Sequence, residues 1–357
     1  MTRVVIMKFQ KFILFFAVCL IVTGCGGGSS SGSNGGVKST LVVTKLSSKV
    51  TAPALITVSM KVDTSAGKPV PYLKKENFTL LEDSQAISNT ESSYTVVPVK
   101  QDFIFNVLLL LDLSGSVVTG DLQALKEDSK AFIDKVFSTN QGLAVKIGYF
   151  DGNASYHSLS TDFSSSPGDL KNVIDSIAPD ISNDNSTNLN GAVVDGAATV
   201  RKKISDDITA NPNLLSEGAL VIFTDGRDRA NRVTDQTAID SATGANSTSL
   251  KNISVFTIGL GQEIDPAVLK AIGKDGFQAA DNISALEEAF RGVADLLSNE
   301  AQSYYILKYC SPLRGDAIVN SSSLGNDLQI TVTNDGISGS TSTTYSAVTF
   351  TGGCTTN

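Results

Sequence analysis

The sequence predicts an α/β domain with a mainly parallel sheet flanked by helices, inserted in or flanked by a β-sandwich built from N- and C-terminal strands. Two patterns lead to this fold class. Between residues 103 and 303, apolar runs alternate with segments of helical periodicity, which is typical of a parallel sheet covered by helices. On both sides of this region the chain shows short β-rich runs without helices between them.

Apolar runs are expected to form the strands of the α/β domain, and periodic segments its helices. The strands are predicted at residues 105–111, 143–150, 219–224 and 253–259. The helices are predicted at residues 121–136, 167–177, 190–204, 266–272 and 284–298. Pro167 and Pro266 suit the first turn of a helix, because the N–H that proline lacks would have no helical partner there.

The two flanking regions are expected to complete each other. Residues 37–102 contain β-rich runs at 55–62 and 78–81, and residues 304–357 contain runs at 304–310, 328–333 and 345–351. Neither region alone has enough strands for a stable sandwich. We therefore expect them to pair in one sandwich, with a separate small C-terminal domain as the alternative.

Residues 1–24 have the pattern of an export signal. Basic residues precede an apolar run over residues 12–22, which is too short to span a bilayer as a permanent helix. Residues 25–36 that follow are almost wholly Gly and Ser, a composition that predicts a flexible tether.

The segment Val22-Thr23-Gly24-Cys25 at the end of the signal resembles the lipobox of bacterial lipoproteins. The resemblance implies cleavage before Cys25, lipidation of its thiol and a lipid anchor in the bacterial cell envelope. Gly26 stands where an Asp marks inner-membrane retention in some bacteria, so we expect the outer membrane or the cell surface. An ordinary secretory signal with a chance cysteine is the alternative.

Two further cysteines predict a disulfide, and the net charge of the chain argues against one class of partner. Because an exported chain lies in an oxidising compartment, Cys310 and Cys354 are predicted to form a disulfide, with two free thiols as the alternative. The formal net charge is −8, and no cluster of Lys and Arg is available to neutralise phosphates. Nucleic acid is therefore not expected as a partner.

Three short polar segments stand next to predicted strands or helices of the α/β domain. Asp112-Leu113-Ser114-Gly115-Ser116 follows the first strand, and Asp225-Gly226 follows the third. Ser186-Thr187-Asn188 precedes the helix predicted from residue 190. Since the carboxyl ends of parallel strands meet at one edge of a sheet, both aspartates are expected at the same edge.

These segments, in this order, resemble the metal-ion-dependent adhesion site of von Willebrand factor type A (vWA) domains, over roughly residues 103–300. The resemblance implies a Rossmann-like fold and a divalent cation, with Mg²⁺ expected and Ca²⁺ or Mn²⁺ as alternatives. It assigns the metal to Asp112, Ser114, Ser116, Thr187 and Asp225. Oxygen donors suit these hard cations, whereas zinc prefers nitrogen and sulfur. As an alternative, the hydroxyls cap helices and bind no metal.

The resemblance favours a binding module for a protein or matrix ligand that offers an acidic residue to the metal. A scaffold subunit of an envelope complex that works without metal is the first alternative. A metal-assisted hydrolase is the second, since Asp112 at a strand end resembles the nucleophile of haloacid dehalogenase-type enzymes, which expect a second Asp where Ser114 stands. No phosphate-binding loop or nucleophile elbow is visible, so we expect no enzyme activity.

Overall fold

The computed structural model describes residues 40–356 apart from 88–93, 99–102, 121, 141, 246–251, 320–322 and 352. The predicted signal peptide, the tether and the lipidation site at Cys25 therefore lie outside the described residues. In the part that is described, no helix has both the length and the apolar character needed to cross a membrane.

Strands make up most of the two flanking regions and the central sheet. In chain order they are β1 (Leu41–Thr51), β2 (Leu55–Thr64), β3 (Phe78–Glu82), β4 (Gln85–Ala86), β5 (Tyr94–Pro98), β6 (Phe103–Asp112), β7 (Leu143–Phe150), β8 (His157–Ser158), β9 (Leu215–Thr224), β10 (Ser254–Leu260), β11 (Gly276–Ala280), β12 (Tyr304–Cys310), β13 (Ala317–Val319), β14 (Ser323–Asn334) and β15 (Ile337–Tyr345).

The α-helices all lie between β6 and β12. In chain order they are α1 (Gly115–Gly120), α2 (Leu122–Thr139), α3 (Pro167–Asp175), α4 (Leu189–Ala210), α5 (Asp235–Thr243), α6 (Pro266–Ile272) and α7 (Leu286–Ala301). The two prolines begin α3 and α6 as predicted, and the side chains of Ser166 and Asp265 accept hydrogen bonds from the first-turn amides.

The central sheet confirms the predicted α/β fold. Its strand order is β11-β10-β9-β6-β7-β8, and the pairs are parallel except for the short β8, which runs antiparallel to β7. Alternate side chains of β6 face opposite sides: Leu109 packs into a core with α2 and α7, and Leu110 packs into a core with α4. Because both faces are covered, these strands appear in the sequence as nearly continuous apolar runs.

The flanking strands form two antiparallel sheets that both regions share. One has the order β1-β2-β12-β5 and the other β13-β14-β3-β4, with β15 paired to β14. Their facing sides enclose a single apolar cluster that includes Ile56, Phe78, Tyr305 and Ile330. The pairing of β2 with β12 and of β3 with β14 confirms the predicted contribution of both flanks.

Cys310 at the end of β12 is joined to Cys354 by a disulfide, with a Cα–Cα distance of 5.9 Å. This bond confirms the predicted pairing and ties the C-terminal segment to the sheet that contains β12. Since β2 pairs with β12, the disulfide also lies beside an N-terminal strand.

The strand predicted at residues 345–351 is wrong. β15 ends at Tyr345, and the following backbone amides pair outside a strand: Ala347 N donates to the side-chain oxygen Asp316 Oδ1 at 2.7 Å, and Phe350 N donates to Ala347 O at 3.0 Å in a turn. Sequence patterns also missed β1, β4, β5, β8, β11, β13, β15, α1 and α5. In α5 only Ala238 and Ala242 are buried, so the helix carries little apolar periodicity.

Candidate metal site at the carboxyl edge of the sheet

The register of two neighbouring strands brings the two predicted carboxylates to one edge. In the parallel pair of β6 and β9, Leu111 lies opposite Phe223. Asp112 is the last residue of β6, and Asp225 directly follows β9. The fold therefore sets both acids at the carboxyl ends of the central strands, which is where open α/β sheets place ligand sites.

The Asp112 carboxylate is fully buried and held in place by two donors. Its Oδ1 accepts from Ser114 N at 2.9 Å, and its Oδ2 accepts from Thr224 Oγ1 at 2.6 Å. Burial raises the pKa of Asp112 to about 7, the nearby Asp225 charge adds to that rise, and the hydrogen bonds partly offset it. A buried anion with this environment would be stabilised by a cation placed beside it.

The hydroxyl of Ser114 is a buried donor and acceptor at the same edge of the sheet. Ser114 is 1% exposed, and its Oγ makes no hydrogen bond within the described part of the chain. It lies next to the Asp112 carboxylate and lowers the pKa of that residue. Because unpartnered buried hydroxyls are unfavourable, this atom fits the role of a metal ligand better than that of a structural cap.

A cleft of about 640 Å³ opens beside these buried groups. Ser116 at the start of α1 is exposed and borders it, as do Thr187 and Asp225. Thus three of the five predicted residues border the cleft, while Asp112 and Ser114 are buried at the same edge of the sheet. The other residues around the cleft are Gly115, Thr119, Asn185, Gly226, Arg229, Leu260, Gly261, Gln262 and Glu263.

Backbone hydrogen bonds hold Thr187 in this position. Its carbonyl oxygen accepts from Arg229 N at 2.9 Å and from Ala230 N at 3.0 Å, which ties it to the segment after Asp225. The next residue, Asn188, donates its backbone N–H to Asp151 O at 2.8 Å. The segment before α4 and the loops that follow β7 and β9 therefore share one hydrogen-bonded arrangement.

Asn188 and Thr224 support the site, and sequence reasoning missed both. The Asn188 side chain accepts from Gly191 N at 3.2 Å, capping α4, and donates to the carbonyl oxygens of Asn153 and Ala154 at 2.7 and 3.0 Å. Asn before an apolar helix is a capping signal that was available in the sequence. The contact of Thr224 with Asp112 depends on strand register and leaves no local signal.

The donor set fits a hard divalent cation. Asp112 and Asp225 supply carboxylates, and Ser114, Ser116 and Thr187 supply hydroxyls. Among the described residues, no group of three or more His, Cys, Asp or Glu side chains is arranged to hold a metal, so a zinc site of that kind is not found there. Oxygen donors with only two carboxylates suit Mg²⁺, Mn²⁺ or Ca²⁺.

His157, the only histidine in the sequence, is half-buried. Its ring stacks on Tyr149, with centroids 4.6 Å apart, and its Nε2 lies 3.6 Å from Asp151 Oδ1. It lies in the short strand β8, which follows the loop whose carbonyl oxygens accept from Asn188. His157 is not among the residues that border the cleft.

A family model of the von Willebrand factor type A domain matches residues 106–299, which is more than half of the chain. The chain belongs to the vWA domain family. The matched range begins within β6 and ends within α7, so it contains all five predicted metal ligands of this vWA domain. None of the curated proteins that were compared matches the chain.

Several solved structures are similar to this vWA protein. Proximal thread matrix protein 1 from the mussel byssus is 19% identical, with a TM-score of 0.43, and the match covers 56% of this chain and 49% of that one. This chain thus spans about half the length of the mussel protein.

Two bacterial structures match a larger share of this chain. A von Willebrand factor type A protein from Catenulispora acidiphila is 12% identical, with a TM-score of 0.44, covering 87% of this chain and 73% of that one. The pilus adhesin SpaC from Lactobacillus rhamnosus GG in its open conformation is 12% identical, with a TM-score of 0.42, covering 85% and 47%.

Proposed function

We propose that this protein binds a divalent cation at the edge of its vWA domain and, through that cation, an acidic side chain of a protein or matrix ligand. Asp112, Ser114, Ser116, Thr187 and Asp225 would hold the cation. The observation that carries the proposal is the buried Ser114 Oγ, which has no hydrogen-bond partner among the described residues and lies beside a buried carboxylate. Both groups would gain a partner from one cation.

The cation would be Mg²⁺, with Mn²⁺ and Ca²⁺ as substitutes of similar chemistry. When bound, it supplies positive charge to the cleft, and two protein carboxylates leave part of that charge available to a ligand. The chain's own residues set the geometry: Thr224 and the backbone of Ser114 fix both oxygens of Asp112. A carboxylate entering the 640 Å³ cleft would meet this charge.

The edge of the cleft also suits an acidic ligand. Arg229 forms an exposed ion pair with Glu263, and both side chains border the cleft. Exposed pairs of this kind contribute little stability, so an incoming carboxylate can exchange with Glu263 on Arg229 at small cost. Arg229 would then favour acidic over basic ligands.

The proposed setting is the bacterial cell envelope, with the protein anchored by lipid on Cys25 to the outer membrane or the cell surface. Support comes from the lipobox-like segment Val22-Thr23-Gly24-Cys25 and the export signal before it. In this proposal the protein is a binding module and not an enzyme.

The direct test is cation titration of the full-length chain in detergent by calorimetry. We expect saturable Mg²⁺ binding that raises the melting temperature, because a ligand of the folded state alone stabilises it. Asp112→Asn and Asp225→Asn should abolish this binding, since each removes a carboxylate while keeping the side-chain shape. Asp206→Asn is the matched control, because Asp206 is an exposed carboxylate paired with Lys202 on α4.

The outcome separates the binding module from the scaffold. If the parent chain binds no Mg²⁺, Mn²⁺ or Ca²⁺, the metal mechanism is wrong and a metal-independent scaffold role takes its place. If cations bind, the ligand test follows: immobilised acidic protein or matrix ligands should retain the chain and release it when a chelator is added. Retention that survives the chelator would refute metal-mediated binding.

A further inference from the structure

A second, smaller cleft of about 190 Å³ is lined by the start of α4, which follows Thr187, and by the loop that follows Asp225, together with the starts of α5 and α6. Asn190, in the first turn of α4, borders it together with Asp228 from the loop after β9. Asp235 at the start of α5 and Asp265 before α6 complete its acidic lining. None of these residues borders the first cleft.

The Asn190 side chain is held by two acceptors, and its backbone N–H by a third. Asn190 is 2% exposed, and its Nδ2 donates to Val233 O at 3.0 Å and to Asp235 Oδ1 at 2.8 Å. Its backbone N–H donates to Asp228 Oδ1 at 3.1 Å. Since both acceptors of Nδ2 are oxygens, turning the amide over would set oxygen against oxygen, so the amide orientation is determined.

This orientation leaves the Asn190 Oδ1 atom without a partner. The atom is buried and accepts no hydrogen bond from the described residues. A buried carbonyl oxygen without a donor is unfavourable by about 1–3 kcal/mol. A cation in the cleft that Asn190 borders would satisfy it.

The carboxylates around the cleft add more negative charge than Arg227, the one basic residue in its described lining, can offset. Burial raises the pKa of Asp228, and the charge of Asp235 adds to the rise although backbone hydrogen bonds oppose it. Asp265 uses Oδ1 to accept from Ala267 N and Val268 N at 3.1 and 3.3 Å, which caps α6. Arg227 also borders the cleft but is exposed, so its side chain is free to extend into solvent.

We infer that Asn190, Asp228 and Asp235 form a second binding site for a hard divalent cation, with Ca²⁺ as the ion that fits best. Two carboxylates and an amide oxygen are donors that Ca²⁺ accepts, and its flexible coordination tolerates an irregular set completed by water, whereas Mg²⁺ requires near-octahedral geometry. The small number of charged ligands predicts a weak site, with a Kd on the order of 0.1–1 mM.

A cation at this second site would link two segments that also carry residues of the first site. Asn190 follows Thr187 closely, and Asp228 follows Asp225 closely in the chain. A cation held by Asn190 and Asp228 would join the start of α4 to the loop after β9, where Asn190 N and Asp228 already share a hydrogen bond. The inference does not require a cation at Asp112.

The test removes the first site and asks whether Ca²⁺ still binds. In full-length Asp112→Asn/Asp225→Asn protein, calorimetry should detect one saturable Ca²⁺ event. Adding Asp235→Asn should weaken it by roughly tenfold or more, because one charged ligand is lost. The new amide can keep an oxygen facing Asn190 Nδ2, so the local structure is retained. Asp206→Asn in the same background should leave Ca²⁺ affinity unchanged.

Two results would overturn the second site. One is the absence of Ca²⁺ binding in the Asp112→Asn/Asp225→Asn protein, even when the parent binds Mg²⁺; the first site would then stand alone. The other is Ca²⁺ binding in that background that neither Asp235→Asn nor Asp228→Asn weakens. Circular dichroism of each variant separates a lost ligand from a lost fold. Conversely, Ca²⁺ binding that is the same in the parent and in the Asp112→Asn/Asp225→Asn protein, with no Mg²⁺ or Mn²⁺ binding in the parent, would support this site and refute the first.

Discussion

Two buried carboxylates, one in each part of the molecule, differ in how their surroundings satisfy them. Glu82 in the sandwich is 6% exposed, and its two oxygens accept from the phenols of Tyr309 and Tyr345. Asp112 in the vWA domain also accepts two hydrogen bonds, but the hydroxyl of Ser114 beside it has no partner among the described residues. In the sandwich, the buried carboxylate has its hydrogen-bond partners within the fold. In the vWA domain, a buried hydroxyl next to the cleft has no partner among the described residues.

The difference shows how a structural polar cluster can be distinguished from a candidate site. Burial raises the pKa of both phenols around Glu82, so Tyr309 and Tyr345 stay protonated and remain donors. Glu82 comes from β3, Tyr309 from β12 and Tyr345 from β15, so the cluster connects both sheets. The Glu82 carboxylate finds its hydrogen-bond partners within the fold, whereas the Ser114 hydroxyl beside Asp112 would need a further group as its partner.

The largest expected effect is on the disulfide of the sandwich. Cys310→Ala/Cys354→Ala should lower the free energy of unfolding by about 4 kcal/mol, because a bridge across a sequence separation of 44 restricts the unfolded chain. Urea unfolding without reductant measures it, and the reduced parent is the control. Cation affinity should be unchanged in the folded variant; its loss would show that the sandwich conditions the metal site.

Replacing the Glu82 carboxylate should have the next largest effect. Glu82→Leu keeps similar volume but leaves the phenols of Tyr309 and Tyr345 without their acceptor, so the free energy of unfolding should fall by about 2–4 kcal/mol. Chemical unfolding followed by tyrosine fluorescence measures the loss, and Mg²⁺ titration should give the parent affinity. Stability within about 0.5 kcal/mol of the parent would contradict a structural role for the cluster.

Replacing Ser114 should lower cation affinity but not stability, which is the opposite of the result expected for Glu82. Ser114→Ala removes an atom that has no hydrogen bond within the described chain, so stability in chelator should stay within about 0.5 kcal/mol of the parent. Mg²⁺ affinity should fall by roughly tenfold, since one metal ligand is lost. Calorimetry and thermal melting measure the two quantities.

Ser129→Ala is the matched control for Ser114→Ala. Ser129 on α2 is also fully buried, and its Oγ likewise has no partner among the described residues, but it does not border the cleft. This variant should leave both stability and Mg²⁺ affinity near the parent values. Equal losses of affinity in the two variants would mean that Ser114 has no special role.

The smallest effect concerns Asp128, a half-buried carboxylate on α2. Burial raises its pKa to about 6, and the charges of Glu287 and Glu127 add to the rise. Because the folded pKa is above the unfolded value, this group favours folding below about pH 4, and that contribution is lost as pH rises through 6. Asp128→Asn should therefore stabilise the protein at pH 7.5 by less than about 1 kcal/mol, after allowance for its exposure.

The Asp128 comparison is made with unfolding curves at pH 4 and pH 7.5 in chelator. The difference between variant and parent should be largest at the higher pH and close to zero at the lower. Glu76→Asn, in the sandwich, is a control for a general effect of removing one negative charge. A larger gain at pH 4 would reverse the expected sign and contradict the repulsion assigned to Asp128.

The sequence alone determined the order of the four long strands at the centre of the vWA domain and the identity of the family. Strands covered on both faces need continuous apolar runs, so β6, β7, β9 and β10 were visible locally. The segments at Asp112, Thr187 and Asp225 were visible because each directly adjoins a strand or helix. Parallel strands then required both acids to share an edge.

Only the tertiary structure decided which buried polar atoms have partners. Tyr309 and Tyr345 reach Glu82 from strands far along the chain, and Thr224 reaches Asp112 through strand register. Nothing in the sequence pattern around Asn190 indicated that its Oδ1 atom would have no partner among the described residues. Periodicity reports which face of an element is buried, but the partner of a buried polar group comes from residues distant in sequence, so it is fixed only when the elements pack.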